Sequence, residues 1–197
     1  MKKILLTLVL GLGLLTANAQ QTTQTPNTIE KLAGPRIGFT YIGAGPTADF
    51  LHKGFDFDED NTQYGSTGPG YTTQYGWQWE SRFADGGGEI VGIVEWIVLV
   101  AGMEQGKFLP SATSIIGLRT DEGLEFGTGP NLSLAGVGMV FGIGYNFKSG
   151  NLNLPVNIAF MPGRKKDGTV FTPNGETSYE YDTGARISIM VGFNMSK

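Results

Sequence analysis

The sequence predicts an all-β chain, an eight-stranded antiparallel up-and-down transmembrane β-barrel preceded by a cleaved signal peptide. Three observations carry that expectation. Apolar residues recur at every second position in one segment after another, the period of a strand with two unlike faces. The links between those segments largely alternate short and long, as in barrels with turns at one end and loops at the other. Beyond the first twenty residues, no stretch offers the roughly 18 uncharged apolar residues that read as a membrane-crossing helix.

The leader comes first. Lys2 and Lys3 precede an apolar run over residues 4–15, which ends in Thr16-Ala17-Asn18-Ala19. A basic start, a short apolar core and an A-x-A site make a secretory signal peptide over residues 1–20. Residues 21–34 follow as a flexible N-terminal segment, and the barrel domain is expected over 35–197. Cleavage leaves about 177 residues, which suits one domain. No cysteine stands near the cleavage point to carry a lipid, and none occurs elsewhere, so packing and backbone hydrogen bonds must hold the fold.

Alternation is cleanest toward the C-terminus. Over 185–194, Ile187, Ile189, Val191 and Phe193 share one face, with Arg186, Ser188, Met190 and Gly192 opposite. Over 152–161, Leu152, Leu154, Val156, Ile158 and Phe160 alternate with Asn153, Pro155, Asn157 and Ala159. Over 136–147, the face of Val137, Met139, Phe141, Ile143, Tyr145 and Phe147 opposes Gly136, Gly138, Gly142 and Gly144. Upstream, residues 36–41 and 75–83 give two more strands. The run 90–103 is apolar on both faces and is interrupted by Glu95, so it reads as a strand rather than a helix. Segments 114–119 and 124–131 complete eight. Short links fall at 84–89, 120–123 and 148–151, and longer ones at 43–74, 104–113 and 162–184. Only the link 132–135 breaks the rule.

Composition narrows the function classes. Glycine is abundant, 31 of 197 residues, yet aromatics reach 11%, more than a disordered glycine-rich chain carries. A net charge of −4 leaves no basic footprint for nucleic acid. The leader, the even strand number, Trp and Tyr at strand ends, and a last strand running into Gly192-Phe193 together resemble small outer-membrane barrels of the OmpA and OmpX kind in Gram-negative bacteria. The resemblance covers essentially the whole mature chain and is architectural. It implies contact with outer-membrane lipids and with the barrel assembly machinery. Such barrels usually end at an aromatic residue, whereas here Phe193 is followed by Asn194, Met195, Ser196 and Lys197.

An eight-stranded barrel is about wide enough for its own side chains to fill. Arg36, Glu80, Arg82, Glu95, Arg119, Glu125 and Arg186 have the parity to point inward, where opposite charges should pair. The glycines at 136, 138, 142 and 144 should make room for larger residues across the interior. Trp77, Trp79 and Trp96, with Tyr75 and Tyr145, are expected on the lipid face or its interfacial belts.

Other candidates read more simply. His52, the one histidine, has Asp49 and Ser66 nearby in sequence, and some barrels of this resemblance are lipid A acyltransferases or deacylases. Proximity in a loop does not give a base its nucleophile, so an exposed loop histidine is the expectation. Asp56, Asp58, Glu59 and Asp60 lack the EF-hand pattern, having Asn61 and Thr67 where Gly and Glu would be needed. Gly86-Gly87-Gly88 reads as a flexible turn. The expected function is structural, or surface interaction through loops 43–74 and 162–184, by a barrel with a side-chain-filled lumen, without catalysis, cofactor or metal. The alternatives are an outer-membrane lipid-modifying enzyme using His52 and a soluble periplasmic lipocalin-like binding barrel.

Overall fold

The computed structural model describes residues 29, 31–54, 67–85, 89–172 and 175–195. Seven consecutive strands, β1 (Gly34–Ile42), β2 (Gly70–Asp85), β3 (Ile90–Ala101), β4 (Leu109–Thr120), β5 (Leu124–Ser133), β6 (Gly136–Ser149) and β7 (Leu152–Met161), pair with their neighbours in order. The last barrel strand, β10 (Arg186–Gly192), is antiparallel to both β7 and β1, so the sheet closes on itself. It breaks at Phe193 and resumes as β11 (Asn194–Met195), which pairs with Asn153 and Leu152. The closed eight-stranded antiparallel barrel expected from the alternation is the fold of the chain.

Parity is also as expected, with the apolar face outside. In β6, Val137, Met139, Phe141, Ile143, Tyr145 and Phe147 are exposed, whereas Gly138, Val140 and Gly144 are buried in the lumen. Tyr75, Trp77 and Trp79 are exposed on the outer face of β2, and Trp96 is half-buried on the same face of β3 as the exposed Val98. Of the four glycines expected to make room, two do. A Cβ on Gly138 would meet Met161 Sδ, and one on Gly144 would meet the Asn157 amide and Glu125. Gly142 has ordinary space, and Gly136 is a turn residue at φ 102° that a larger side chain would strain.

Two elements occupy links that the sequence left irregular. Helix α1 (Pro46–Lys53) follows β1, with Pro46 in its first turn, where a missing N–H costs nothing. It ends at Gly54, φ 76°, whose N–H bonds the Phe50 carbonyl at 2.8 Å. Ala48 and Leu51 bury against Ile42, with Leu109 packed beside them, which fixes the helix over the loop end of the barrel. In the link after β7, β8 (Lys165–Thr172) and β9 (Gly175–Asp182) form a separate two-stranded ribbon. Strands β2 and β4 begin earlier than their alternation suggested, at Gly70 and Leu109, so the link between β3 and β4 is a short 3-10 turn, Met103–Gln105, rather than a long loop.

Candidate functional site

The lumen divides by height into two unlike halves. At the end of the short turns it is filled by an ionic network that begins and ends at Leu32. Arg36 donates from Nη2 to the Leu32 carbonyl at 2.6 Å and from Nε to Gln78 Oε1 at 2.9 Å. Gln78 passes the chain on by donating to Glu95 Oε1 at 2.5 Å. Arg119 is the hub, its two Nη atoms on the Glu80 carboxylate at 2.8 and 2.6 Å and its Nε on Glu125 at 2.6 Å. Glu125 also accepts from Asn157 at 3.2 Å, and Glu80 from the Leu32 amide at 3.1 Å. Arg119 is 1% exposed and Leu32 is wholly buried, so residues 31–34 of the lead-in segment belong to the barrel floor.

Three carboxylates against two guanidiniums are held here by donors from Gln78, Asn157 and the Leu32 amide as well. A buried ion needs such partners, because each lone pair left empty in low dielectric carries a desolvation cost. Only about 30 Å³ of space remains beside Glu95 and Glu125.

Toward the loops the lumen turns apolar. Ile97, Leu99, Ile115, Val140 and Met190 bury together, with Ala159 and Met161 packed against them. They wall a cavity of about 110 Å³ whose lining also includes Thr47 of α1, Ser133, Leu134 and Arg186. Arg186 donates to Thr47 Oγ1 at 2.7 Å and to Ser133 Oγ at 3.4 Å, and its Nε is buried without a partner. No described carboxylate pairs with it.

The seven inward charges therefore do not form one set. Arg36, Glu80, Glu95, Arg119 and Glu125 assemble as expected. Arg82 stands near the turn end, 3.5 Å from Asp85, where the β2–β3 register shifts between Arg82 and Ala84. For Arg186 the expected pairing with an acid is not found, because its position on β10 sets it beside Ile42 and Met161, near the loop end and away from the carboxylates. Sequence reasoning also missed Gln78 and Asn157 as network members; their signal was an uncharged polar residue at inward parity.

Outside the lumen, the ε nitrogen of His52, on α1, donates to the Pro69 carbonyl at 3.0 Å. Asp49 accepts from the Thr67 amide at 3.1 Å. Ser66, the acidic cluster at 56–60, Gly86 to Gly88 and the leader lie outside the described residues. Among the described residues no group of three acidic or histidine side chains could hold a metal. On the short turn after β3, Glu104 accepts from the Thr73 amide at 2.9 Å and from its hydroxyl at 2.6 Å. Burial alone would raise this carboxyl; the bonds from Thr73, from its own backbone amide and from Thr72 outweigh burial and hold it down at about 2.

Fold and lumen define a closed eight-stranded antiparallel β-barrel, apolar outside, ionic at one end within and hollow at the other. No family model matches the chain, and no curated protein and no solved structure matches it at a significant level.

Proposed function

We propose that the chain is an integral outer-membrane β-barrel of a Gram-negative envelope, exported by the leader over residues 1–20 and inserted by the barrel assembly machinery. Its role is structural or one of surface contact, exercised through loops 43–74 and 162–184. One observation carries this reading: each of the eight barrel strands exposes large apolar side chains, among them Phe39, Trp77, Val98, Ile116, Phe126, Phe141, Ile158 and Ile189. Water-soluble monomers rarely expose a contiguous apolar patch beyond a few hundred Å², whereas lipid is the natural solvent for such a belt. A lipocalin-like soluble barrel would leave it in water. No described helix covers it, since α1 packs on Ile42 and Leu109 at the loop end. No described helix is long and apolar enough to cross a membrane, and a barrel needs none.

The test is envelope fractionation followed by gel electrophoresis with and without boiling. Recovery in the outer-membrane fraction, with a band whose mobility changes on boiling, is the expected result. A soluble protein with no mobility change would sink the membrane reading. The same reading gives His52 no catalytic task. The Pro69 carbonyl holds its ε nitrogen, so His52→Asn should leave the lipid A profile of the expressing strain unchanged by mass spectrometry; an altered profile would revive the lipid-modifying enzyme.

A further inference from the structure

We propose that the loop-end cavity binds a short-chain carboxylate, with its tail in the apolar lumen and its head on Arg186. This rests on the barrel and its interior, and stands whether or not the barrel is embedded in lipid. Arginine has five N–H donors in a fixed fork. Two bonds from Arg186 go to the hydroxyls of Thr47 and Ser133, both neutral, and Nε has no partner at all. A guanidinium inside a barrel without an acid is unusual, because burial of an uncompensated charge is costly. The contrast with Arg119, saturated by Glu80 and Glu125 a few strands away, shows what this chain does with a purely structural arginine.

The rest of the cavity fits the other end of such a ligand. Going down β10 from Arg186, the next inward residues are Ser188 and Met190. Met190 joins Ile97, Leu99, Ile115 and Val140 in a wall without charge. The head of the ligand would therefore meet a cation and two hydroxyls, and its tail an uncharged, mostly apolar wall in which Thr40, Thr113 and Asn131 are interspersed. An apolar cavity of about 150 Å³ suffices for benzene, so the 110 Å³ here suits a tail of about four or five carbons. A neutral molecule of that size would leave the Arg186 charge uncompensated, and an amine would add a like charge. Selectivity for an anion follows from those two penalties.

The experiment is calorimetric titration of the full chain in phosphatidylcholine nanodiscs with hexanoate, hexanol and hexylammonium, after subtraction of protein-free discs. Saturable one-site binding of hexanoate is expected, with hexanol weaker by roughly tenfold or more, the worth of a charge-assisted hydrogen bond, and no binding of hexylammonium. Arg186→Gln should bring hexanoate down to the level of hexanol. Val140→Phe keeps Arg186 but fills the cavity, so it should abolish both, and it carries the test if the first variant fails to fold. Absence of saturable hexanoate binding, equal binding of hexanoate and hexanol, or undiminished binding by folded Arg186→Gln or Val140→Phe would each overturn the proposal.

Discussion

The two halves of the lumen use the same wall and opposite chemistry. At the turn end, Arg119, Glu80, Glu95, Glu125 and Arg36 fill the interior with ions and leave about 30 Å³. At the loop end, Ile97, Leu99, Ile115, Val140 and Met190 leave a cavity of about 110 Å³. A tight ionic plug is directional, since each bond constrains the strand that carries it, whereas apolar side chains can border empty space without losing hydrogen bonds of their own. The difference assigns the turn end to holding the barrel's strands in place and leaves the loop end free to admit something.

That division can be broken most forcefully at its hub. Arg119→Leu removes the shared partner of Glu80 and Glu125 and should cost about 3–5 kcal/mol, the usual penalty for stranding buried charges, read as a lower urea midpoint of the refolded barrel. A loss below about 1 kcal/mol would mean that the network contributes little. Next come two of the four glycines of β6. Gly144→Ala pushes a methyl into Asn157 and Glu125 and should cost about 1–3 kcal/mol. Gly142→Ala meets nothing closer than 3.8 Å and should stay within about 0.5 kcal/mol of the parent. Equal effects in the two variants would show that the network does not reach β6.

Within the apolar half, Ile97→Val adds only to space already present and should cost about 0.5–1.5 kcal/mol by the same denaturation. A pH-dependent effect belongs to Glu104, outside the barrel wall. Its folded carboxyl, at about 2, is below the ordinary 4.5. Its contribution to stability is therefore full above about pH 4.5 and is lost as pH falls toward 2. The melting difference between the parent and Glu104→Gln should shrink over that window; a difference constant from pH 7 to pH 2 would refute the assignment.

Much of this was legible in advance, and the limit has a physical origin. Alternation tells which side of the wall a residue takes, so Phe141 outside and Glu125 inside follow from the sequence pattern. It does not tell how high along the barrel a residue stands, because height depends on pairing register across strands. Arg186 and Arg119 share an inward parity, yet only register shows that one meets Glu80 and the other Thr47. The apolar half left one trace, the run 90–103 being apolar on both faces; Ile97 and Leu99 are the inward members of that run that reach the loop-end cluster. Helix α1 left another, since Pro46 and Gly54 bracket it as a start and a stop. In the ribbon of β8 and β9, Tyr179 and Tyr181 alternate with polar residues, a pattern too polar to separate from an irregular loop.

The seam between β1 and β10 joins residues far apart along the chain: the hydroxyls of Thr40 and Ser188, 148 positions apart, lie 2.8 Å from each other. Every other neighbouring pair of barrel strands is consecutive along the cylinder's path, so this junction carries the largest loop-closure entropy and should form last and slowly. Until it forms, the growing sheet has two raw margins, each a row of unpaired amides and carbonyls able to zip onto a stranger. The chain must therefore be sheltered from its own copies between synthesis and completion, and the Phe193 interruption comes directly after the very strand that has to finish the circle.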